Sequence, residues 1–326
     1  MRATARAHPI QGLVKYHGMR DEELRLPYHD SISVCTAPSN TTTTVEFQAD
    51  REEDAYVVDG ERLEGRGADR VRTVVDEVRD RAGLDDRVRV ESENNFPSNI
   101  GLGSSSSGFA ALALAATEAA GLEYTLPEVS TIARRGSSSA ARAVTGGFSD
   151  LHAGLNDEDC RSERLDVPES FAADVRVVVA KVPAYKETEH AHAEAADSHM
   201  FEARLAHVHD QLAEVRDALR EGDFDRVFET AEHDSLSLAA TTMTGPAGWV
   251  YWKPDTIEVF DAVRELRSDE DVPVYFSTDT GATVYVNTRA AYADEVEARI
   301  GDCGVETDVW RVGGPAQVLD DDAALF

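Results

Sequence analysis

The sequence predicts an α+β protein of two domains, 1–172 and 173–326. Three observations lead there. Its 326 residues exceed what one core of usual domain size covers. Strand-like alternation and helix-like three/four spacing recur along the whole chain, without an internal repeat or low-complexity tract. Near residue 170 the pattern changes, and segments punctuated by glycine and serine give way to long amphipathic helices.

Taken in order, 31–35 and 42–47 alternate around an Ala-Pro-Ser-Asn turn and read as a hairpin. Residues 68–82 place Val71, Val74, Val75 and Val78 on one helical face, with Gly83 as the stop. Val88 and Val90 alternate with charged residues in a strand at 87–91. A glycine- and serine-rich loop at 94–108 follows, then a helix at 109–120 that stops at Gly121. A helix at 126–135 leads into a second Ser/Gly segment. Beyond residue 170 come a buried-type strand at 175–180 and two amphipathic helices. The first carries Phe201, Leu205, Val208, Leu212, Val215 and Leu219, the second Phe224, Val227, Phe228 and Ala231. A helix at 256–266, strands at 272–276 and 283–287, a helix at 290–300 and a strand at 305–312 complete the chain.

Composition narrows the function classes. Sixty-two acidic residues against thirty-two basic ones give a formal charge of −30, with only four lysines, Lys15, Lys181, Lys186 and Lys253. A nucleic-acid binder needs a basic face, so that partner is excluded. The acidic residues are spread through periodic helices rather than blocked at one end, which fits a halophile's surface, kept hydrated in molar salt where the Debye length falls to about 3 Å. No apolar run reaches membrane-spanning length and 1–10 lack a signal-peptide core, so a cytoplasmic protein without a membrane partner is expected. Cys35, Cys160 and Cys303 are too scattered for a disulfide framework or a zinc knuckle and read as inert thiols.

The loop at 94–108 has the makings of a phosphate cradle. Gly101, Gly103 and Gly108 let backbone approach a ligand, and the unpaired N–H groups of the next helix's first turn, with the serine hydroxyls, face an anion. It is neither a P-loop, lacking Gly-Lys-Ser/Thr, nor the usual dinucleotide fingerprint. Pro97 and the run Gly101-Leu102-Gly103-Ser104-Ser105 instead resemble the Pro-x-x-x-Gly-Leu-Gly-Ser-Ser signature of the GHMP small-molecule kinases.

Four further segments are similar to one branch of that superfamily, the mevalonate (di)phosphate decarboxylases. Lys15-Tyr16-His17-Gly18-Met19-Arg20 resembles its Lys-Tyr-Trp-Gly-Lys-Arg. The Arg135-to-Phe148 stretch, Phe276 to Gly281 and Val312 to Gln317 resemble its serine/arginine motif, its Thr-Phe-Asp-Ala-Gly and its Val-Gly-x-Gly-Pro-Gln end. The resemblance implies an N-terminal mixed α/β domain of the ribosomal S5 domain 2-like type and a C-terminal α/β sandwich with an antiparallel sheet. It also implies ATP and Mg2+ as cofactors and a homodimer. ATP is expected at Asn95, Pro97, Gly101, Gly103, Ser104, Ser105, Ser106 and Ser107, with Ser105 meeting Mg2+ through the nucleotide.

The chemistry implied is phosphorylation of a tertiary C3 hydroxyl followed by decarboxylative elimination, since hydroxide alone is too poor a leaving group. The resemblance assigns orientation or deprotonation of that hydroxyl to Asp279, the C1 carboxylate to the Arg142 fork, and supporting positive charge to Lys15. Tyr16, Ser137 and Ser139 are expected to contact substrate. One of His190 and His192 is a further pocket candidate, while His207 and His209 lie on opposite sides of a helix and cannot share a metal.

Two departures set the substrate. His17 replaces the family's tryptophan, and Met19 its second lysine, a diphosphate ligand. A thioether cannot offset the added charge of a terminal phosphate. With the acidic composition, this points to the halophile phosphomevalonate decarboxylases, which turn mevalonate 5-phosphate into isopentenyl phosphate. The diphosphate-using enzyme is the alternative; a kinase without decarboxylation or a silent nucleotide-binding module fits less well.

Overall fold

The computed structural model describes residues 1–97, 102–183, 192 and 194–326. Two sheets carry the architecture. The first runs in the order Gln317–Leu319, Arg2–Ala7, Thr41–Gln48, Arg87–Asn94, Ala55–Val58, Glu61–Arg62, antiparallel except where Ala55–Val58 meets Arg87–Asn94. Helices Gly65–Ala82, Ser104–Ala119, Leu126–Gly136 and Ser138–Thr145 join it in one core, where Val71, Val74, Val75 and Val78 meet Val45, Phe47, Val88 and Val90. The expected valine face and the Gly83 stop are both present, Gly83 taking φ +64 at the helix end.

The second sheet has eight strands in the order Ser162–Arg164, Phe148–Leu151, Ser31–Ala37, Glu306–Val312, Val175–Lys181, Val284–Arg289, Val274–Ser277, with Ile10–Val14 paired to Ser31–Ala37. Its central strand Val175–Lys181 is covered on both faces. Val175, Val177 and Val179 pack against helices Phe201–Glu221 and Phe224–Met243, while Val178 and Ala180 pack against Pro254–Asp269 and Ala293–Gly301. A strand buried twice reads as a continuous apolar run, which is how 175–180 looks in sequence. This sheet draws strands from both sides of position 172, with Arg311 opposite Ala37 and Val312 opposite Thr36.

The expected hairpin at 31–35 and 42–47 does not form. Ser31–Ala37 lies in the second sheet and Thr41–Gln48 in the first, so the turn between them carries the chain from one sheet to the other. Alternation reports that a strand has two unlike faces and is silent about its neighbour.

Candidate active site

The loop and helix expected to cradle a phosphate meet at Gly103. Its φ is +76, and a Cβ placed there would lie 3.2 Å from Pro9 Cβ and 3.3 Å from the Ile10 carbonyl, so this corner accepts only glycine. Helix Ser104–Ala119 starts at once; Ser106 N and Ser107 N donate to the Gly103 carbonyl at 2.8 and 3.4 Å, and the N–H groups of Ser104 and Ser105 face an external acceptor. The four serines divide. Ser106 Oγ accepts from Ile10 N at 3.2 Å and donates to the Gly103 carbonyl at 2.6 Å, and Ser107 Oγ lies 2.7 Å from Thr41 Oγ1. Both are buried, whereas Ser104 is half-buried and Ser105 exposed. Ser106 and Ser107 therefore fasten the loop to neighbouring strands, and Ser104 and Ser105 face outward. Asn95, expected at the nucleotide, ties the loop to the preceding turn instead. Its Oδ1 accepts from Asn40 N at 2.7 Å and its Nδ2 donates to the Pro38 carbonyl at 3.1 Å. Pro97 is exposed, and Gly101 lies outside the described residues.

Strand Ile10–Val14 runs from this loop to Lys15, and at its middle Gly12 makes a close approach to Lys15 and Asp279. A Cβ on Gly12 would lie 2.6 Å from Lys15 Cγ and 3.0 Å from Asp279 Oδ1, so the bare backbone is what admits both side chains. Ser277, at the end of strand Val274–Ser277, donates from Oγ to the Gly12 carbonyl at 3.2 Å and holds the segment bearing Asp279 against it.

Lys15 is 5% exposed. Its Nζ lies 3.0 Å from Ser235 Oγ and 3.4 Å from Asp234 Oδ2, which also accepts from Lys15 N at 3.0 Å. Asp234 Oδ1 accepts from Arg204 Nη2 at 2.8 Å, and that nitrogen also donates to the Lys15 carbonyl at 2.6 Å. The carboxylate in contact with Lys15 is thus Asp234. Burial lowers the Lys15 pKa, opposed by the charges of Asp234 and then Asp279. Burial also disfavours the Asp234 carboxylate, yet Arg204 and Lys15 outweigh it and hold its pKa below the ordinary value.

Arg142 stands on helix Ser138–Thr145, 2% exposed, with its Cζ 5.4 Å from the centre of the Tyr16 ring. Its Nε and Nη1 have no hydrogen-bond partner among the described residues. Burial lowers its pKa, opposed by Tyr16, Asp279 and Asp150, so Asp279 acts on both cations of the expected triad. A buried fork with two idle donors is a seat for a planar anion such as a carboxylate. Ser137 and Ser139, at the start of the same helix, lie 2.9 Å apart through their hydroxyls, and Ser138 Oγ reaches Met19 Sδ at 3.7 Å. His192 stacks on Tyr16, centroids 4.9 Å apart and planes 16° apart, and accepts from Gly18 N at 3.4 Å. His190 lies outside the described residues.

Lys15, Tyr16, Arg142, Ser137, Ser139 and Asp279 thus gather around strand Ile10–Val14 and helix Ser138–Thr145. Sequence reasoning missed Gly12, Arg204, Asp234 and Ser235. For the last two a signal existed. Phe224, Val227, Phe228 and Ala231 set an inward stripe whose next positions are 234 and 235, so two polar residues were due to point into the core. Asp30, Asp150 and His152 also bring ligand-type atoms within 4.8 Å of one another. Arg216 already serves that cluster as its cation, donating to Asp150 Oδ2 at 2.7 Å and Asp30 Oδ2 at 2.9 Å.

Comparison with known proteins agrees with this geometry. The profile of the diphosphomevalonate decarboxylase-like N-terminal domain matches residues 7–162. The phosphomevalonate decarboxylase of Haloferax volcanii is 71% identical over 326 residues, covering 100% of both chains, and its haloarchaeal source fits the acidic composition. Among solved structures, mevalonate diphosphate decarboxylase from Staphylococcus aureus aligns with TM-score 0.93 and 27% identity over 98% of both chains. The Enterococcus faecalis enzyme in complex with MVAPP, AMPPCP and magnesium aligns with TM-score 0.93 and 28% identity, over 98% of this chain and 99% of that one. A full-length relative at this identity leaves one assignment: the chain belongs to the mevalonate (di)phosphate decarboxylase family of the GHMP superfamily.

Proposed function

We propose that this protein catalyses ATP-dependent decarboxylation of mevalonate 5-phosphate to isopentenyl phosphate, with CO2, ADP and phosphate as the other products. The observation that carries the reading is Arg142, whose buried Nε and Nη1 stand idle beside Tyr16 with the Asp279 charge acting on them. A carboxylate seated on that fork puts the neighbouring C3 hydroxyl near Asp279, which orients it or takes its proton. Lys15 adds positive charge beside both groups, and its own carboxylate partner Asp234 keeps it in place. The N–H groups and hydroxyls of Ser104 and Ser105, at the helix start after Gly103, suit a nucleotide's phosphates, and Ser105 is proposed for its Mg2+. ATP with Mg2+ supplies the phosphoryl group that turns the hydroxyl into a leaving group.

Met19 supports the monophosphate over the diphosphate, because its thioether meets Ser138 where the family's pattern has a lysine. A homodimer divided into 1–172 and 173–326 completes the proposal. The test measures CO2 release and ADP formation together in molar KCl, with mevalonate 5-phosphate and its diphosphate as separate substrates. Coupled release of both products, faster with the monophosphate, is expected. Equal or faster turnover of the diphosphate replaces this substrate with the runner-up, and ADP without CO2 makes the protein a kinase.

A further inference from the structure

Strand Ser31–Ala37 lies between Ile10–Val14 and Phe148–Leu151, and its two faces have different surroundings. Ile32 and Val34 share a core with Val208, Leu212 and Phe228. Side chains alternate along a strand, so Ser31, Ser33 and Cys35 face the other way, towards the helix that carries Arg142. Cys35 Sγ lies 3.9 Å from the Arg142 carbonyl. Ser149, opposite Ser33 on the next strand, accepts at Oγ from Thr145 Oγ1 at 2.9 Å. Both neighbours of Ser33 on this face therefore touch helix Ser138–Thr145.

On its other edge Ser33 is opposite Gly12. Residues so paired hold their Cβ positions about 4.5–5.5 Å apart on one face, and the Cβ position at Gly12 lies 2.6 Å from Lys15 Cγ and 3.0 Å from Asp279 Oδ1. With no side chain on Gly12, Ser33 faces a gap between Asp279 and the Arg142 helix. Ser33 is 1% exposed, as enclosed as Arg142, and its Oγ has no hydrogen-bond partner among the described residues. Arg142 Nε and Nη1 are idle in the same way. A buried hydroxyl left without a partner is costly, and so are two idle guanidinium donors. Three such donors at one gap suit a single acceptor that bonds all of them. Ser31 also lacks a partner, but it is opposite Leu151, which packs with Leu26, Ala141 and Cys160 in an apolar cluster.

We infer that Ser33 donates a hydrogen bond to the C1 carboxylate of the substrate, completing the seat that Arg142 begins and turning the C3 hydroxyl towards Asp279. The inference rests on the proposed decarboxylase reading and adds to it a residue for the carboxylate end. A carboxylate has about four lone-pair sites, enough for the two Arg142 donors and the hydroxyl together. Its charge disperses as CO2 forms, so a hydrogen bond to it favours bound substrate over the transition state. Loss of that bond is read mainly in KM.

The experiment uses the full chain in molar KCl, comparing wild type with Ser33→Ala. Expected are a thermal midpoint no lower than wild type, an unchanged KM for ATP, kcat within threefold, and a KM for mevalonate 5-phosphate at least threefold higher. 3-Hydroxy-3-methylbutyl phosphate, which keeps the hydroxyl and the phosphate but lacks the carboxylate, serves as a competitive inhibitor and should bind both proteins equally. Ser31→Ala should keep the wild-type KM. A KM less than threefold above wild type overturns the inference. Equal weakening of the inhibitor does so too, by moving the contact to the hydroxyl or phosphate. A lowered midpoint gives the hydroxyl a structural partner, and a matching KM rise in Ser31→Ala makes the effect general to the strand; either result also overturns it. Should Ser33→Ala fail to fold, Ser33→Cys, a much weaker donor, is read by the same KM and inhibition constant with the same thresholds. A wild type that releases no CO2 from the monophosphate fails the decarboxylase reading instead, a result visible before any variant is made.

Discussion

Asp234 Oδ2 and Lys15 Nζ pair at 3.4 Å in the interior, with neither side chain more than 5% exposed. Asp234 also holds Arg204, so one carboxylate is shared by two buried cations. Removing it strands both. Asp234→Asn is expected to cost about 3–5 kcal/mol of stability, read by denaturant unfolding in high salt. Wild-type stability in that variant would show that the pair contributes nothing.

Asp279 stands on a different footing, because it lies two residues past the end of strand Val274–Ser277 and is partly exposed beside Gly12. Asp279→Asn should leave substrate affinity nearly unchanged while kcat falls by roughly 10²–10⁴-fold, the usual worth of a placed acid or base. Arg142→Lys should also be severe, since a point charge replaces the fork. Turnover within tenfold of wild type would remove Asp279 from the mechanism.

The division among the loop serines separates binding from folding. Ser105→Ala should raise the KM for ATP with no change in unfolding midpoint, as its hydroxyl is exposed. Ser106→Ala removes the acceptor for the Ile10 amide and should cost about 1–3 kcal/mol of stability. Reversal of that pattern would move the nucleotide contact to Ser106.

Acid should unfold the protein through its buried imidazoles. Burial and then the Arg204 charge hold His29 at about 4, against an ordinary 6.5, with Nδ1 bonded to the Asp30 carbonyl at 2.7 Å. Between those values the unfolded chain binds the extra proton and the folded one does not. Stability from this group is thus complete above about pH 6.5 and is lost as pH falls towards 4, about 3 kcal/mol in all. His17 is lowered further and adds in the same direction. Urea midpoints from pH 7 to 4 should fall, and His29→Asn should flatten the slope; an equal slope would locate the acid sensitivity elsewhere.

Dialysis from molar KCl into dilute buffer should inactivate the enzyme as repulsion among the carboxylates is unscreened. Full activity at low salt would show that the acidic surface is tolerated without it.

Lys15, Arg142 and Asp279 were singled out in the sequence because the segments that carry them resemble a family's motifs, and the Gly103 corner because only glycine serves there. Local pattern also found most helices, since a three/four stripe is written within one segment. It failed where partners are distant. The strands at 31–37 and 41–48 were recognised and then paired wrongly, and the Lys15 partner lies 219 positions away. Asp234 was read past because a helix is searched for its apolar stripe, and a carboxylate lying on that stripe looks like an interruption.

The first strand, Arg2–Ala7, lies between Thr41–Gln48 and Gln317–Leu319 in its sheet, and Arg2 Nη1 donates to the Phe326 carbonyl at 2.6 Å. On a ribosome, that strand gains one neighbour once residues 41–48 are made and waits for the other until residues 317–319 follow. The same delay governs Glu306–Val312, which joins Ser31–Ala37 to Val175–Lys181. A growing chain therefore holds Lys15 and Arg142 long before Asp279 and strand Glu306–Val312 exist, so the two sheets close late in synthesis rather than each as its first strands emerge.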